Sequence, residues 1–113
     1  MRLKSEILVA AIVRRSNSEG AFAAVVKRGA EEAGAIFVKV ARLDGTADLY
    51  APAPQSSFGE DDTGIRLFEQ ILSAISEREV DERLRRERQF DSDLWIVEIE
   101  DRQGRAFVDE PIV

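Results

Sequence analysis

Apolar residues recur along this chain in two rhythms, one near 3.6 residues and one of two, and these divide it into helix and strand segments. Over residues 3–18, Ile7, Leu8, Ala11 and Ile12 recur at helical spacing through an Ala-rich middle, and Ala is the best helix former. Ser5 is a candidate N-cap, and Gly20 after the polar run Ser16-Asn17-Ser18-Glu19 is a candidate stop. The same stretch alternates as Ile7, Val9, Ala11, Val13, so residues 4–18 read as helix, with strand as the alternative. Residues 21–27 and 35–42 read as strands, and the glycine-flanked polar run 29–34 between them reads as a hairpin loop. Asp44-Gly45, a pair favoured by tight hairpins, leads into a further strand over residues 46–50. These strands are expected to form an antiparallel meander.

Residues 51–64 contain Pro52, Pro54, Gly59 and Gly64 and read as a loop. Residues 65–71 read as a strand, with a helix as the alternative. Ser76-Glu77-Arg78-Glu79 fits a capping box, which opens a helix running to about Gln89. Its apolar stripe is thin: Val80, Leu84 and, at the end, Phe90. Glu79–Arg83, Asp81–Arg85 and Glu82–Arg86 stand at ion-pairing distance along it. Residues 94–100 alternate, with Trp95, Val97 and Ile99 on one face and Leu94, Ile96, Glu98 and Glu100 on the other. Residues 101–104 read as a hairpin turn into a last strand at 105–109, and Pro111 ends the pairing. The order α-β-β-β-(β)-α-β-β predicts an α+β fold. The expectation is one small domain over residues 1–113, an antiparallel sheet of about five to six strands with two helices on one face.

The length of 113 residues suits one domain with one modest core. The absence of His and Cys changes the chemistry available. It removes disulfides, cysteine nucleophiles, a Ser-His-Asp triad and the usual tetrahedral zinc sites. The formal net charge of −6 argues against nucleic acid and anionic membranes as partners. That charge is uneven: residues 1–54 carry eight basic groups against six acidic, and residues 55–113 carry eight against sixteen. Such a dipolar surface can serve self-association. The longest apolar run, residues 7–13, is far short of the roughly 20 residues of a membrane span. Glu6 just before it and Arg14-Arg15 just after it do not fit a secretory leader. The expected location is the cytoplasm.

Two constellations could carry chemistry. Glu98 and Glu100 project from one face of their strand, with Asp101 next in sequence. Neighbouring carboxylates can bind Mg²⁺ or Mn²⁺ or shift each other's pKa, and Lys39 on a neighbouring strand would supply a cation. The plainer reading is the solvent-facing side of an edge strand, with charges that discourage aggregation. The second constellation is basic: Arg14, Arg15 and Arg28, with Lys27 and Lys39, could converge on an anion such as phosphate. Otherwise Arg14 and Arg15 simply complement a helix C-terminus. The acidic run 59–64 lacks the alternation of a calcium loop and reads as a solvated loop. The charged helix is a candidate partner surface, and Trp95 and the phenylalanines are expected mostly in the core.

Several runs together carry a resemblance. They are Arg14-Arg15, Gly20-Ala21-Phe22, Lys27-Arg28-Gly29, Ala33-Gly34-Ala35 leading into Phe37-Val38-Lys39-Val40, Asp44-Gly45, Ala51-Pro52-Ala53-Pro54, Glu87-Arg88-Gln89-Phe90-Asp91, and Leu94-Trp95 through Asp101. With these, nearly the whole chain resembles the DUF1491 type, a family of short alphaproteobacterial proteins of unknown function. The resemblance implies a bacterial cytoplasmic protein and carries no catalytic residues over. The functional expectation is therefore a small non-catalytic interaction or regulatory module that needs no cofactor. It would engage a protein partner or a second copy of itself, with no nucleic acid and no membrane. The alternative is a metal- or phosphate-dependent enzyme built on Glu98, Glu100 and Asp101, with Lys39 or Arg28 holding the anion.

Overall fold

A computed structural model describes residues 3–54 and 66–110. The elements in chain order are α1 (Ser5–Ser18), β1 (Phe22–Lys27), β2 (Ile36–Ala41), β3 (Thr46–Pro52), β4 (Phe68–Ser76), α2 (Glu77–Phe90) and β5 (Trp95–Glu100). The fold is α+β, two helices on a five-stranded sheet. Residues 5–18 are helix, as the 3.6 rhythm predicts, and β4 extends past the predicted 65–71 strand to Ser76. Most of the predicted 51–64 loop, its acidic run and Pro111 lie outside the described residues.

Local signals act where they were read. Gly20 adopts φ 93° after α1. Ala21 N–H donates to the Ser16 carbonyl and Gly20 N–H to that of Asn17, the two bonds of a Schellman stop. Ser76 Oγ accepts from Glu79 N–H at 3.1 Å, the hydroxyl half of the predicted capping box. Ser5, by contrast, is not the N-cap. It is buried inside the first turn, and its hydroxyl donates to the Gly34 carbonyl at 2.6 Å, tying α1 to the β1–β2 connection.

The sheet departs from the expected meander. Its order is β1-β5-β2-β3-β4, with β5 antiparallel to β1 but parallel to β2, so the sheet is mixed. β2 and β3 do form the predicted Asp44-Gly45 hairpin. β5 buries Trp95, Val97 and Ile99 on one face and Ile96, with Leu94 just before it, on the other, and such a strand is stable only where both faces are covered, in the interior of a sheet. It therefore separates β1 from β2. The run 29–34 is not a hairpin loop but a crossover past the start of β5. A Cβ on Gly29 would collide with the backbone of Asp93 and Leu94, and one on Gly34 with that of Asp93 and Ala30, so this close passage admits only glycine.

The helices lie on opposite faces, not on one. α1 buries Val9 and Ile12 against Ile36, Val38, Val40, Trp95, Val97 and Ile99. α2 buries Val80 and Leu84 against Phe37, Ala47, Leu49, Leu94 and Ile96. The reason is the same: β2 is buried at every position, so each of its faces needs a helix. Phe90 does not join the α2 stripe and is 89% exposed. The ion pairs along α2 are Arg78–Glu82 and Arg83–Glu87 rather than the predicted ones, because Asp81 turns to Lys39. No strand forms at 105–109 among the described residues. Asp101 captures Arg105 through its N–H and guanidinium, and Phe107 takes φ 56°. The segment folds instead onto the α1-side cluster through Ala106, Phe107 and Val108.

Candidate functional site

Lys39 and Glu98 face each other across the parallel β2–β5 pair and point to the α2 side of the sheet. The Lys39 ammonium lies 3.5 Å from Glu98 Oε1, and it donates to Glu77 Oε2 and Asp81 Oδ1, each at 2.8 Å. Its side chain is only 4% exposed. Burial acts to lower the Lys39 pKa, but the hydrogen bonds to Asp81 and Glu77 and the charge of Glu98 outweigh it, and the net shift is upward. The group is thus held as a fixed cation in the neutral range. It fills the centre on which the carboxylates of Glu77, Asp81 and Glu98 converge. Among the described residues, no group of three or more acidic side chains is arranged to hold a metal.

The other candidates of that constellation are set apart. Glu100 shares the face of Glu98 but enters no ion pair among the described residues. Asp101 is buried, and a bidentate pair with Arg105 (2.9 and 3.1 Å) together with the Arg105 N–H occupies its oxygens. The hydrogen bonds from Arg105 hold its pKa below the usual carboxylate range. Nor is β5 an edge strand, as the plainer reading supposed; it has neighbours on both sides.

The basic residues do not gather. Arg28 pairs with Glu6 at 3.4 Å in the first turn of α1, and its guanidinium lies 5.1 Å from the centre of the Trp95 ring. Arg14 and Arg15 are exposed toward the far end of α1, about 12 Å away at 1.5 Å rise per residue. Lys27 Nζ donates to the carbonyls of Arg28, Ser92 and Leu94, closing the crossover. Lys39 is buried under α2, on the other face.

Two features were missed from sequence. The first is a buried Asp48 that accepts from the Arg42 guanidinium at 2.8 Å and from Ala74 N–H at 2.7 Å. It holds β4 in an irregular register at Ala74, whose φ is 50°. An acid between two apolar strand residues was the only signal. The second is the surface around β1. Its register with β5 sends Phe22, Ala24 and Val26 to the α2 side of the sheet. α2 packs over β3 and β4 and stops short of β1. A groove of about 270 Å³ remains, lined by Val26, Lys39, Leu84, Arg85, Arg88 and Ile96. Phe22 is 60% and Val26 56% exposed, on a strand with no further strand on its outer side, where Asn17 Oδ1 accepts from Ala23 N–H at 2.9 Å.

Two helices on opposite faces of a five-stranded mixed sheet, with an apolar open edge, define a small α+β protein. The model of the DUF1491 family, "Protein of unknown function", matches residues 3–109, and the chain belongs to that family. A solution structure of a protein from A. tumefaciens is similar at 48% identity and a TM-score of 0.83, covering 100% of both chains. A crystal structure of a DUF1491 family protein from Caulobacter crescentus CB15 is similar at 39% identity and a TM-score of 0.81, covering 100% of this chain and 99% of that one. No curated protein matches the chain. Among the described residues, no helix is long and apolar enough to cross a membrane.

Proposed function

We propose that this protein is a small, non-catalytic, cytoplasmic interaction module, a single domain that docks through the outer edge of β1. The observation that carries this is the pair Phe22 and Val26, large apolar side chains more than half exposed on a strand at the edge of the sheet, where the Asn17 side chain covers the backbone of Ala23. Folded proteins blunt such edges with charge or proline, and residues 22–26 contain neither. The single bulge of β1, at Val26, places another apolar side chain in the open. Addition of a strand to an exposed edge is a recurrent mode of recognition: main-chain bonds supply affinity and alternate side chains supply specificity.

The test is complementation of a deletion strain. Ala24→Lys should fail to restore growth fitness, while Glu98→Gln with Glu100→Gln restores it. The reverse pattern, with both variants folded, would overturn the proposal.

A second reading, a metal- or phosphate-dependent enzyme using Glu98, Glu100 and Asp101 with Lys39 or Arg28, is favoured by the 3.5 Å approach of Lys39 to Glu98. Thermal unfolding with Mg²⁺, Mn²⁺, nucleotides and sugar phosphates decides it. A ligand at 100 times its Kd adds about 2.7 kcal/mol, a rise of roughly 10 °C for a domain of this size. A rise with Mg²⁺ that Glu98→Gln removes would establish the enzyme; unchanged midpoints throughout would dismiss it.

A further inference from the structure

From the way the two helices share the sheet, we infer that the face beside β1 receives an amphipathic helix of a partner protein, lying alongside α2 and antiparallel to it. The inference rests on the docking role of β1 proposed above and gives the chemistry of the partner.

The two faces of the sheet are covered unequally. On one face, α1 lies over β1 and β5. On the other, α2 lies over β3 and β4, and the half formed by β1 and β5 carries no helix. That half presents Phe22, Ala24 and Val26 from β1, all exposed, beside Ile96, Glu98 and Glu100 from β5. The Asn17 amide holds the backbone of Ala23, accepting from its N–H at 2.9 Å and donating to its carbonyl at 3.5 Å. A partner on this face is therefore met by side chains. From β1 across β5 to β2 is two strand spacings, about 10 Å. A helix is about 10 Å across and packs about 8–10 Å from its neighbour, so one more helix fits beside α2.

The charges give that helix a direction. Glu98 and Glu100 stand at the Phe22 end, and Glu100 enters no ion pair among the described residues. Arg88 lines the other end, beside Val26 and Ile96, about 10 Å further along α2 than Asp81 at about 1.5 Å per residue. Arg85 follows Asp81 by four residues and is offset by it, whereas Leu84 holds that place before Arg88. Helices favour acids in the first turn and bases in the last. Laid antiparallel to α2, such a helix sets its first turn beside Arg88 and its last beside Glu98 and Glu100. Exposed ion pairs contribute little each, so the charges set direction while the apolar strip supplies the hold. Neutral Glu98→Gln with Glu100→Gln therefore keeps the docking, and charge reversal opposes it.

The experiment places the photo-crosslinking residue p-benzoylphenylalanine at Val26 in the full chain, irradiated in living cells. The expected product is a second protein, linked within a segment that mass spectrometry shows to carry apolar residues at i, i+3, i+4 and i+7 and Lys or Arg toward its C-terminal end. Glu100→Arg and Arg88→Glu should each lower the yield about fivefold, the top of the range for an exposed pair, with the thermal midpoint unchanged. Equal yields in all three chains would overturn the direction. A linked segment without helical spacing would overturn the helix and leave the docking role of β1 standing. A product of twice the 12.6 kDa chain mass would put a second copy in the groove and overturn the partner protein. No product at Val26, with one at Phe22, would overturn the groove alone, and no product at either would overturn the docking role as well.

Discussion

β4 and β1 end the same sheet, and they end it differently. β4 is pinned and irregular. Asp48 reaches from β3 to hold Ala74 N–H, the register with β3 shifts twice, and Phe68 N–H donates to the Asp109 carbonyl. Glu69 and Gln70 add polarity along it. β1 has an apolar strip, no charge between Phe22 and Val26, and a groove where α2 stops short. The difference teaches that protection of an edge costs buried polar machinery, here the Arg42–Asp48 pair. At the other edge the Asn17 side chain holds the backbone of Ala23, and Phe22 and Val26 on either side of it stay exposed.

The comparison breaks most readily at Asp48. Asp48→Ala leaves the Arg42 guanidinium and the Ala74 N–H without their acceptor and should cost about 3–5 kcal/mol, the range for removing one member of a buried pair. Chemical denaturation measures it, and a loss below about 1 kcal/mol would show that β4 is not held this way.

Lys39 tests the wall of the groove beside β1. Lys39→Met should cost about 1–2 kcal/mol at neutral pH, less than Asp48 because Glu77 and Asp81 are nearly half exposed and water can replace the lysine. The Lys39 pKa is raised in the fold. Its contribution is therefore complete below the ordinary lysine value of about 10.4 and is lost as pH rises through the folded value. Wild type and variant should converge in strong alkali; a constant difference from pH 7 to 12 would contradict the ion-pair account.

Asp101 lies beside the start of β1 and gives a smaller effect of opposite sign in pH. Its pKa is lowered by Arg105, so its contribution is present above the ordinary carboxylate value and is lost as pH falls through the folded value. Asp101→Asn should cost about 1 kcal/mol at pH 7 and nothing measurable near pH 2. Equal losses at both pH values would mean that charge is not what holds the 101–105 turn.

The smallest effect on folding is expected at the open edge itself. Ala24→Lys should change stability by no more than about 0.5 kcal/mol, as exposed substitutions do. A large loss would mean that Ala24 serves the fold and not a partner.

Much of the fold was legible because its signals are local. The Schellman stop at Gly20, the cap at Ser76, the Asp44-Gly45 hairpin and the alternation of β5 each depend on residues a few positions apart. Strand order was not legible, because it is set by contacts between distant segments. Gly29 and Gly34 look like turn glycines in sequence, yet they serve close passage over Asp93. The two-faced apolar pattern of residues 94–100 was the one available sign that β5 belongs inside the sheet. At the candidate site, Lys39 stood out as a charge inside an apolar strand. Its approach to Glu98 was a condition of the enzyme reading, while Glu77 and Asp81 come from a helix whose position depends on packing. The pairing of Arg42 with a buried Asp48 was not read from the sequence and became visible only in three dimensions. The open edge was likewise hidden, since nothing in residues 22–27 says that the neighbouring strand is β5 and that no strand lies beyond.

Photo-crosslinking in living cells from p-benzoylphenylalanine in place of Phe22, in the full chain with and without Ala24→Lys, tests the central claim most directly. The account predicts a cross-linked product at Phe22 that Ala24→Lys removes while its thermal midpoint stays unchanged. No product at Phe22, or a product that Ala24→Lys leaves intact, would contradict it.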